Sequence, residues 1–314
     1  MSASVPRSSR VLLWGLLGLS NALWGASWVV AKVALRELTP LQISAWRMIL
    51  AGLVLLPVAV YYARRADLPR GLWPRLALLG LAQAVAAKWC SLWGVQHSTA
   101  ANAGLLMALE PGFTVALAAL VLSERLSAAR LTSLALGAAG AYLIVFRETG
   151  WPELSGATVL GDGVFIVGLS LEAAYSVYSK PLSERHPPLA IAAASLAVAL
   201  PVWIPVAAAD AAVHGWPAFG VTGWLAIVYF ALGCTVFGYV VWVFALRRIA
   251  AGAVALSVFV QPVVGTLAAV LVLGEHLTAR TLAGAALVLA SLGLIVATPD
   301  PAAKPAAPAS IAGD

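Results

Sequence analysis

The chain carries little charge for its length. Only 10% of its 314 residues are Asp, Glu, Lys or Arg, whereas 62% are apolar. A typical soluble domain has about 25% charged residues, because polar side chains have to cover its surface. A chain with so few of them cannot form a water-exposed surface, and lipid is the solvent that tolerates it. The composition therefore predicts an integral membrane protein.

Cysteine and histidine are also scarce. The only cysteines, Cys90 and Cys234, both lie inside apolar runs, which excludes a disulfide framework and a thiolate metal cluster. The four histidines fall near the ends of apolar segments, and none is spaced as a metal-binding pair. We therefore expect no metal and no other cofactor.

Signatures of membrane-embedded enzymes are missing as well. Such enzymes usually show paired aspartates, a metal-binding histidine pair or a serine–histidine set at depth, whereas Asp162 is the one aspartate of its segment. There is no phosphate-binding loop of the Walker type, so the chain cannot hydrolyse ATP. We expect no catalytic residues. An enzyme or a channel stays the alternative from a different functional class.

A helix that crosses the hydrocarbon core needs about 20 predominantly apolar residues. Ten apolar segments of about that length follow one another, at 11–35, 41–63, 72–96, 100–122, 128–146, 157–179, 189–210, 220–246, 251–273 and 279–297. The connections are short, so no soluble domain fits between them. Residues 1–10 form a short N-terminal segment, and the tail 298–314, rich in Pro and Ala, is expected to be disordered.

The net charge of +6 does not indicate a nucleic-acid partner, because the charges sit in short clusters between apolar runs. With a cytoplasmic N-terminus, thirteen Lys and Arg residues fall on the cytoplasmic side and four outside, while Arg47 and Lys88 lie within segments. An excess of Lys and Arg marks cytoplasmic loops. The chain is therefore predicted to lie in the cytoplasmic (inner) membrane with both termini in the cytoplasm.

Two stretches of the chain match each other without gaps. Residues 100–127 align with residues 251–278 at an offset of 151, and a weaker match at an offset of 148 relates the first and sixth segments. Because five is an odd number, a second copy of five segments must enter the membrane from the opposite side. The predicted fold is all-α, with ten transmembrane helices in two inverted repeats (11–147 and 157–297). Such inverted repeats are common in secondary transporters.

The order of several short motifs resembles the EamA type of the drug/metabolite transporter superfamily. These motifs are Trp24-Gly25 with Lys32, Pro40 with Arg47, and the proline-centred fourth and ninth segments that end in Glu124 and Glu275. The resemblance covers residues 11–297. It implies ten helices, alternating access and a central cavity, often for the export of amino acids or related metabolites. The sixth segment departs from the pattern, since Glu172-Ala173 replaces the tryptophan-glycine pair.

Pro111 and Pro262 occupy corresponding positions near the middle of the fourth and ninth segments. Proline removes a backbone hydrogen bond and displaces the carbonyl four residues earlier, here those of Met107 and Val258. Paired helix breaks at matching positions of two repeats point to a transport site. The alternative is two inherited kinks, since proline is common in membrane helices.

Lys88 and Glu110 are predicted at similar depth in neighbouring segments. A charge at the centre of a bilayer is costly and is normally paired or hydrated, so we expect an ion pair between them. The functional hypothesis is that these two side chains bind the carboxylate and the ammonium of a zwitterion. The alternatives are a purely structural salt bridge and a Lys88 that extends outward to the interface.

Other side chains are candidates for the same substrate-binding site. Glu172 shares a helix face with Tyr175, where it could relay protons or form a structural hydrogen bond to tyrosine. Asn21 and Trp24 share a face of the first segment, and the indole could close over an apolar part of a substrate. The remaining candidates are polar residues predicted at depth, namely Tyr178, Tyr239, Ser257 and Gln261. Each could equally hold helices together.

Glu124 and Glu275 stand where the fourth and ninth segments end. A carboxylate at this place stabilises the positive end of the helix that follows. We therefore expect both glutamates to be structural.

The inverted repeat, the paired prolines and the few deep charges favour a secondary transporter that exports small metabolites, most of all amino acids. A phosphorylated substrate would demand a cluster of deep cations, and Lys88 has an acidic neighbour instead. Efflux of amphipathic cationic drugs is the alternative, for which Glu110 and Glu172 would suffice and Lys88 would be a hindrance. The substrate, the driving force, the direction of transport and the oligomeric state stay open at this point.

Overall fold

The computed structural model describes residues 7–65, 68–97, 106–107, 109–145, 156–216, 219–273 and 278–298. This part of the chain is helical and contains no strand. Numbered in chain order, its helices are α1 (Arg7–Ala34), α2 (Pro40–Arg64), α3 (70–96), α4 (Glu110–Leu122), α5 (Ala128–Val145), α6 (Gly156–Arg185), α7 (188–214), α8 (221–246), α9 (251–273) and α10 (Ala279–Ala297).

Eight of these helices are long and apolar enough to cross a membrane, judged by length and composition: α1 to α3 and α6 to α10. The other two, α4 and α5, are apolar but shorter over the residues described. They lie where the fourth and fifth spans are predicted, and the predicted beginning of the fourth span lies outside the described residues. The predicted tail after residue 298 lies outside them too. The prediction of an all-helical, multi-pass membrane protein is confirmed.

The last helices of the two repeats, α5 and α10, pack directly against each other. The Ser133 hydroxyl lies 2.9 Å from the Ser291 carbonyl oxygen, and the Ser291 hydroxyl donates to the Ser133 carbonyl at 2.7 Å. Two turns further along α5, a Cβ atom added to Gly140 would lie 2.6 Å from the Gly284 carbonyl oxygen. Residue numbers therefore rise along α5 as they fall along α10, so the two helices are antiparallel.

These two contacts are equivalent under exchange of the repeats. At the offset of 151, Ser133 corresponds to Gly284 and Gly140 corresponds to Ser291. Exchanging the repeats therefore converts the serine contact into the glycine contact, as a two-fold axis between the helices requires. Small residues at both points let the backbones approach closely, which is the main source of helix association in lipid. The packing thus shows the inverted relation that the odd number of segments predicts.

The turn between α8 and α9 is held from both sides, by a buried lysine and a partly buried glutamate. The ammonium group of Lys180 in α6 donates to the carbonyls of Leu246 and Ile249, at 2.8 Å each. The carboxylate of Glu124, just after α4, accepts from the first two backbone N–H groups of α9, at 2.7 and 3.2 Å. Helix ends leave such groups unsatisfied, and the sign of each charge suits the dipole of the helix end it binds.

Glu124 therefore has a structural role at a helix N-terminus, but the helix is not the predicted one. The expectation was α5, which follows Glu124 in the chain, whereas the carboxylate binds the start of α9. Glu124 also forms an ion pair with Arg130 of α5, at 3.2 Å. Glu124 reaches the start of α9 because α4 packs tightly against α9. The sequence around Glu124 does not indicate this packing. Glu275, the counterpart in the second repeat, lies outside the described residues.

The α5–α10 crossing can be tested with a matched pair of glycine substitutions. A methyl group at Gly140 meets the backbone of α10, whereas nothing lies within 4 Å of a Cβ atom at Gly293. We expect Gly140→Ala to destabilise the purified protein by about 1–3 kcal/mol, seen as a lower melting temperature in detergent. Gly293→Ala should leave the melting temperature unchanged or raise it slightly. Equal melting temperatures for the two variants would contradict the close crossing.

Candidate functional site

A cavity of about 420 Å³ lies between seven helices, α1 to α4, α6, α8 and α9. This volume falls within the roughly 300–1,000 Å³ of typical small-molecule sites, and both repeats contribute to its walls. Most lining residues are apolar or aromatic. Among the residues that the structure describes, four charged side chains line it, two of each sign: Arg47, Lys88, Glu110 and Glu172.

The cavity extends to one end of the helix bundle. Leu35 and Pro40, which flank the connection between α1 and α2, both line it, and so does Gln96 at the end of α3. Towards the other end the lining stops at Trp242, whose indole N–H donates to the Ser176 hydroxyl at 3.0 Å. Beyond Trp242, α8 runs into the turn that leads to α9, which is held from both sides. Over the described residues, the cavity therefore reaches one face of the bundle and ends short of the other.

Lys88 forms an ion pair with Glu172 of α6. The hydroxyl of Tyr239 donates to the second carboxylate oxygen of Glu172 at 3.4 Å, and the Lys88 ammonium lies 5.7 Å from the centre of the Tyr239 ring. The predicted ion pair of Lys88 with Glu110 is therefore wrong. Glu110 lines the same cavity and interacts electrostatically with both partners, but it forms no hydrogen bond or ion pair with a residue that the structure describes.

Small residues on α6 explain why Glu172 reaches Lys88. A Cβ atom at Gly168, one turn before Glu172, would lie 3.1 Å from the Ala87 carbonyl oxygen. A Cβ atom at Gly161, nearer the start of α6, would lie 3.0 Å from another backbone oxygen of α3. The backbones of α6 and α3 therefore pack closely, which places Glu172 beside the residue that follows Ala87. The prediction assumed that consecutive segments pair, and this tertiary contact overrides that assumption.

Both α3 and α8 contain a π-helical segment beside the cavity, at Ala82–Ala87 and Tyr229–Phe237. A π turn takes backbone carbonyls out of the regular helical ladder. In α3, the Ala84 carbonyl accepts a hydrogen bond from the indole of Trp203 at 2.8 Å. In α8, the Cys234 carbonyl accepts one from the indole of Trp24 at 2.7 Å. Freed backbone groups need such partners in lipid. The bond to Cys234 fixes the Trp24 ring as part of the cavity wall.

An ion pair and an aromatic contact occupy equivalent places in the two repeats. At the offset of 151, Lys88 corresponds to Tyr239, and at the offset of 148, Trp24 corresponds to Glu172. Trp24 packs against Tyr239 with 5.8 Å between ring centres, as Glu172 pairs with Lys88. The same contact between helices is thus aromatic on one side of the two-fold axis and ionic on the other. The cavity is chemically asymmetric within a symmetric frame.

The structure brings seven of the ten predicted binding residues to the cavity, and they are Trp24, Lys88, Glu110, Glu172, Tyr175, Tyr239 and Gln261. Tyr178 instead lies on the surface and is 49% exposed. Asn21 and Ser257 are buried beside the cavity, where the Asn21 amide donates to the Ser257 hydroxyl at 2.9 Å. The Gln261 amide donates to Asn21 at 3.1 Å. These bonds hold α1 against α9.

The two prolines mark helix interruptions that border the cavity. In α9, a 3-10 turn at Ser257–Phe259 precedes Pro262. The described part of α4 begins one residue before Pro111. Met107 and Val258, the residues four positions before the prolines, both line the cavity. The residues whose carbonyls the prolines are expected to displace therefore lie beside the space where a substrate would bind.

Arg47, which was not predicted as a binding residue, also lines the cavity. It shares one face of the first two turns of α2 with Pro40 and Ser44, which line it too. Its Nε atom is buried without a hydrogen-bond partner, and the guanidinium carbon lies 5.9 Å from the centre of the Phe230 ring. It forms no ion pair within the described part of the chain. A charge inside an apolar span is the sequence signal that could have singled it out.

A family model described as the EamA-like transporter family matches this chain twice, at residues 12–146 and 159–297. The chain belongs to the EamA-like transporter family. A relative from Streptantibioticus cattleyicolor, a probable terminal-alkyne amino-acid exporter, is 28% identical to this EamA-like transporter over 90% of this chain and 92% of its own length. A probable amino-acid metabolite efflux pump from Salmonella typhimurium is 29% identical over 86% of this chain and 89% of its own.

A solved crystal structure of another protein superimposes on this EamA-like transporter with a TM-score of 0.74. The two sequences are 20% identical, and the match covers 92% of this chain and 96% of the other. At that identity the likeness shows the fold alone. Family and fold together establish a multi-pass membrane transporter rather than an enzyme.

The Lys88–Glu172 pair of this EamA-like transporter can be tested by a double-mutant cycle. Removing one partner of a fully buried ion pair costs about 3–5 kcal/mol. The side chains here are 19% and 16% exposed, so we expect ~2 kcal/mol for Lys88→Met or Glu172→Gln alone. The double variant should be more stable than either single variant, because it leaves no uncompensated charge. Melting temperatures in detergent measure the cycle, and additive losses would show that the two groups do not interact.

Proposed function

We propose that this EamA-like transporter exports amino acids or closely related zwitterions across the cytoplasmic membrane by alternating access. The observation that carries the proposal is the balance of charge in the cavity. One cation and one acid, Lys88 and Glu172, neutralise each other. The other two, Arg47 and Glu110, have no ion-pair partner among the residues described. A substrate with both an ammonium and a carboxylate would compensate both.

The other substrate classes fit this charge distribution less well. An amphipathic cationic drug would meet Glu110 but would also face the uncompensated charge of Arg47. A phosphorylated substrate would meet Arg47 but would be repelled by Glu110, and its charge exceeds that of a single arginine. A zwitterion avoids both penalties. Two relatives whose names refer to the export or efflux of amino acids or their metabolites support the same choice.

The apolar part of a substrate would lie against an aromatic wall. Trp24, Phe230 and Trp242 line the cavity, and the ring centres of Trp24 and Trp242 are 5.6 Å apart. Aromatic rings bury much apolar area at little cost in side-chain entropy. The wall favours amino acids whose side chain is apolar and larger than a methyl group.

With both termini in the cytoplasm, the cavity opens to the outside of the cell. The charges Lys180 and Glu124 then close the cytoplasmic side, because they hold the turn between α8 and α9. Loading of substrate from the cytoplasm requires that this turn move relative to α4 and α6. The outward-open arrangement is the state from which an exported substrate leaves.

Reporter fusions test the orientation. Green fluorescent protein fused after the C-terminus should fluoresce, and alkaline phosphatase at the same place should be inactive, because that end lies in the cytoplasm. Fusions after Gly215, in the predicted external connection between α7 and α8, should give the reverse pattern. The opposite result at both places would reverse the orientation without affecting the fold.

Counterflow in proteoliposomes tests the substrate class. Vesicles loaded with an unlabelled neutral amino acid should accumulate the labelled one, measured with and without a proton gradient. We expect Glu110→Gln to lower the apparent affinity at least tenfold, because the substrate ammonium loses its counter-charge. Glu37→Gln removes an exposed acid outside the cavity and should exchange normally. Exchange of an amphipathic cation but of no amino acid would replace the proposal by drug efflux.

A further inference from the structure

We propose that Arg47 binds the carboxylate of the transported substrate while Glu110 receives its ammonium group. This inference rests on the proposed function and assigns a residue to each polar end of the substrate. It narrows the substrate class to compounds that carry both a free carboxylate and an amine. Amides, esters and simple amines of the same size would then be poor ligands.

Lys88 is the obvious alternative for the carboxylate, but it is already engaged. Its ammonium group pairs with Glu172, and Glu172 receives a further hydrogen bond from Tyr239. A substrate carboxylate that took Lys88 would leave Glu172 uncompensated in a partly buried place, which is costly. The ion pair between Lys88 and Glu172 therefore stays intact when a substrate binds.

Arg47, in contrast, lacks a counter-charge in the described part of the chain. Its Nε atom is buried and has no acceptor, and a buried donor without an acceptor carries the full cost of its desolvation. The Phe230 ring, 5.9 Å from the guanidinium carbon, offers an aromatic face but no hydrogen-bond acceptor of the strength of a carboxylate. An arginine held in this state inside an apolar span indicates that its partner is the ligand.

The chemistry of the side chain matches a carboxylate in particular. A guanidinium presents parallel N–H donors in a planar fork, and the two oxygens of a carboxylate accept them together. Ser44 lies one turn earlier on the same face of α2 and also lines the cavity, so its hydroxyl supplies a further donor. An ammonium on a flexible stem would attract the same charge without this geometry.

Glu110 is the free acid that completes the pair. Its counterpart in the second repeat is Gln261, which carries no charge and is bonded to Asn21. The two cavity charges that have no ion-pair partner among the described residues therefore lie on helices of one repeat, Arg47 on α2 and Glu110 on α4. A zwitterion between them would link these two helices across the cavity.

Competition for exchange tests the assignment. The probes are a labelled neutral amino acid that the wild-type protein exchanges, the same amino acid unlabelled, and its amide, which keeps the ammonium but lacks the carboxylate. In the wild-type protein the amide should compete at least tenfold more weakly than the acid. In Arg47→Gln, competition by the acid should weaken at least tenfold, to the level of the amide, while competition by the amide should change little.

Two further variants guard against an effect on folding. Arg47→Lys keeps the charge without the fork, and we expect it to insert normally and to lose part of the preference for the acid. Arg64→Gln removes an exposed arginine from the same helix and should retain the wild-type preference. Protein amount and melting temperature are measured for every variant.

The outcomes separate this inference from the function on which it rests. If Arg47→Gln weakens competition by the acid and by the amide equally, or weakens neither, the assignment is overturned while amino-acid transport still stands. A preference for the acid that disappears only in Lys88→Met would return the carboxylate to Lys88 and overturn it too. A wild-type protein that exchanges no amino acid would overturn the proposed function and this inference together.

Discussion

In the hydrocarbon core, every backbone N–H and C=O group has to find its partner within the protein. The helices satisfy this constraint along most of their length. Where α3 and α8 pass into π-helical turns, indole N–H groups from Trp203 and Trp24 donate to carbonyls of those turns. At the turn between α8 and α9, Lys180 and Glu124 bind the exposed helix ends. Irregular backbone and polar side chains therefore occur together, and the cavity lies where they are concentrated.

A symmetric scaffold with an asymmetric site follows from duplication under this constraint. The crossing of α5 and α10 tolerates few changes, because both of its contact points need small residues, and it still shows the two-fold relation. The cavity wall has room for different side chains. There the second repeat has Tyr239 where the first has Lys88, and each packs against a different partner.

Sequence patterns predicted most of the helices and much of the site, for reasons that can be traced to particular residues. Long apolar runs have few alternatives to a spanning helix. Deep polar residues such as Glu110 and Glu172 have to face the interior, so depth alone brings most predicted residues to one cavity. Tyr178 shows where this reasoning fails, since an aromatic residue with a polar tip is also stable at the surface. Helical spacing already separates it from Tyr175, which is three residues from Glu172 and shares its face, whereas Tyr178 is six residues from Glu172 and lies on another face.

The sequence by itself determined a membrane protein with inverted halves. Its composition and the length of its apolar runs favour transfer to lipid, and the odd number of crossings in each repeat requires the second copy to be inverted. Only the tertiary structure decided that Lys88 pairs with Glu172 rather than Glu110, that Glu124 binds the start of α9, and that Arg47 faces the cavity without an ion-pair partner among the described residues. Each of these depends on which helix surfaces meet. Glycines such as Gly168 allow two helix backbones to pack closely although they are far apart in sequence. The spacing of residues along the chain does not show which helices will pack in this way.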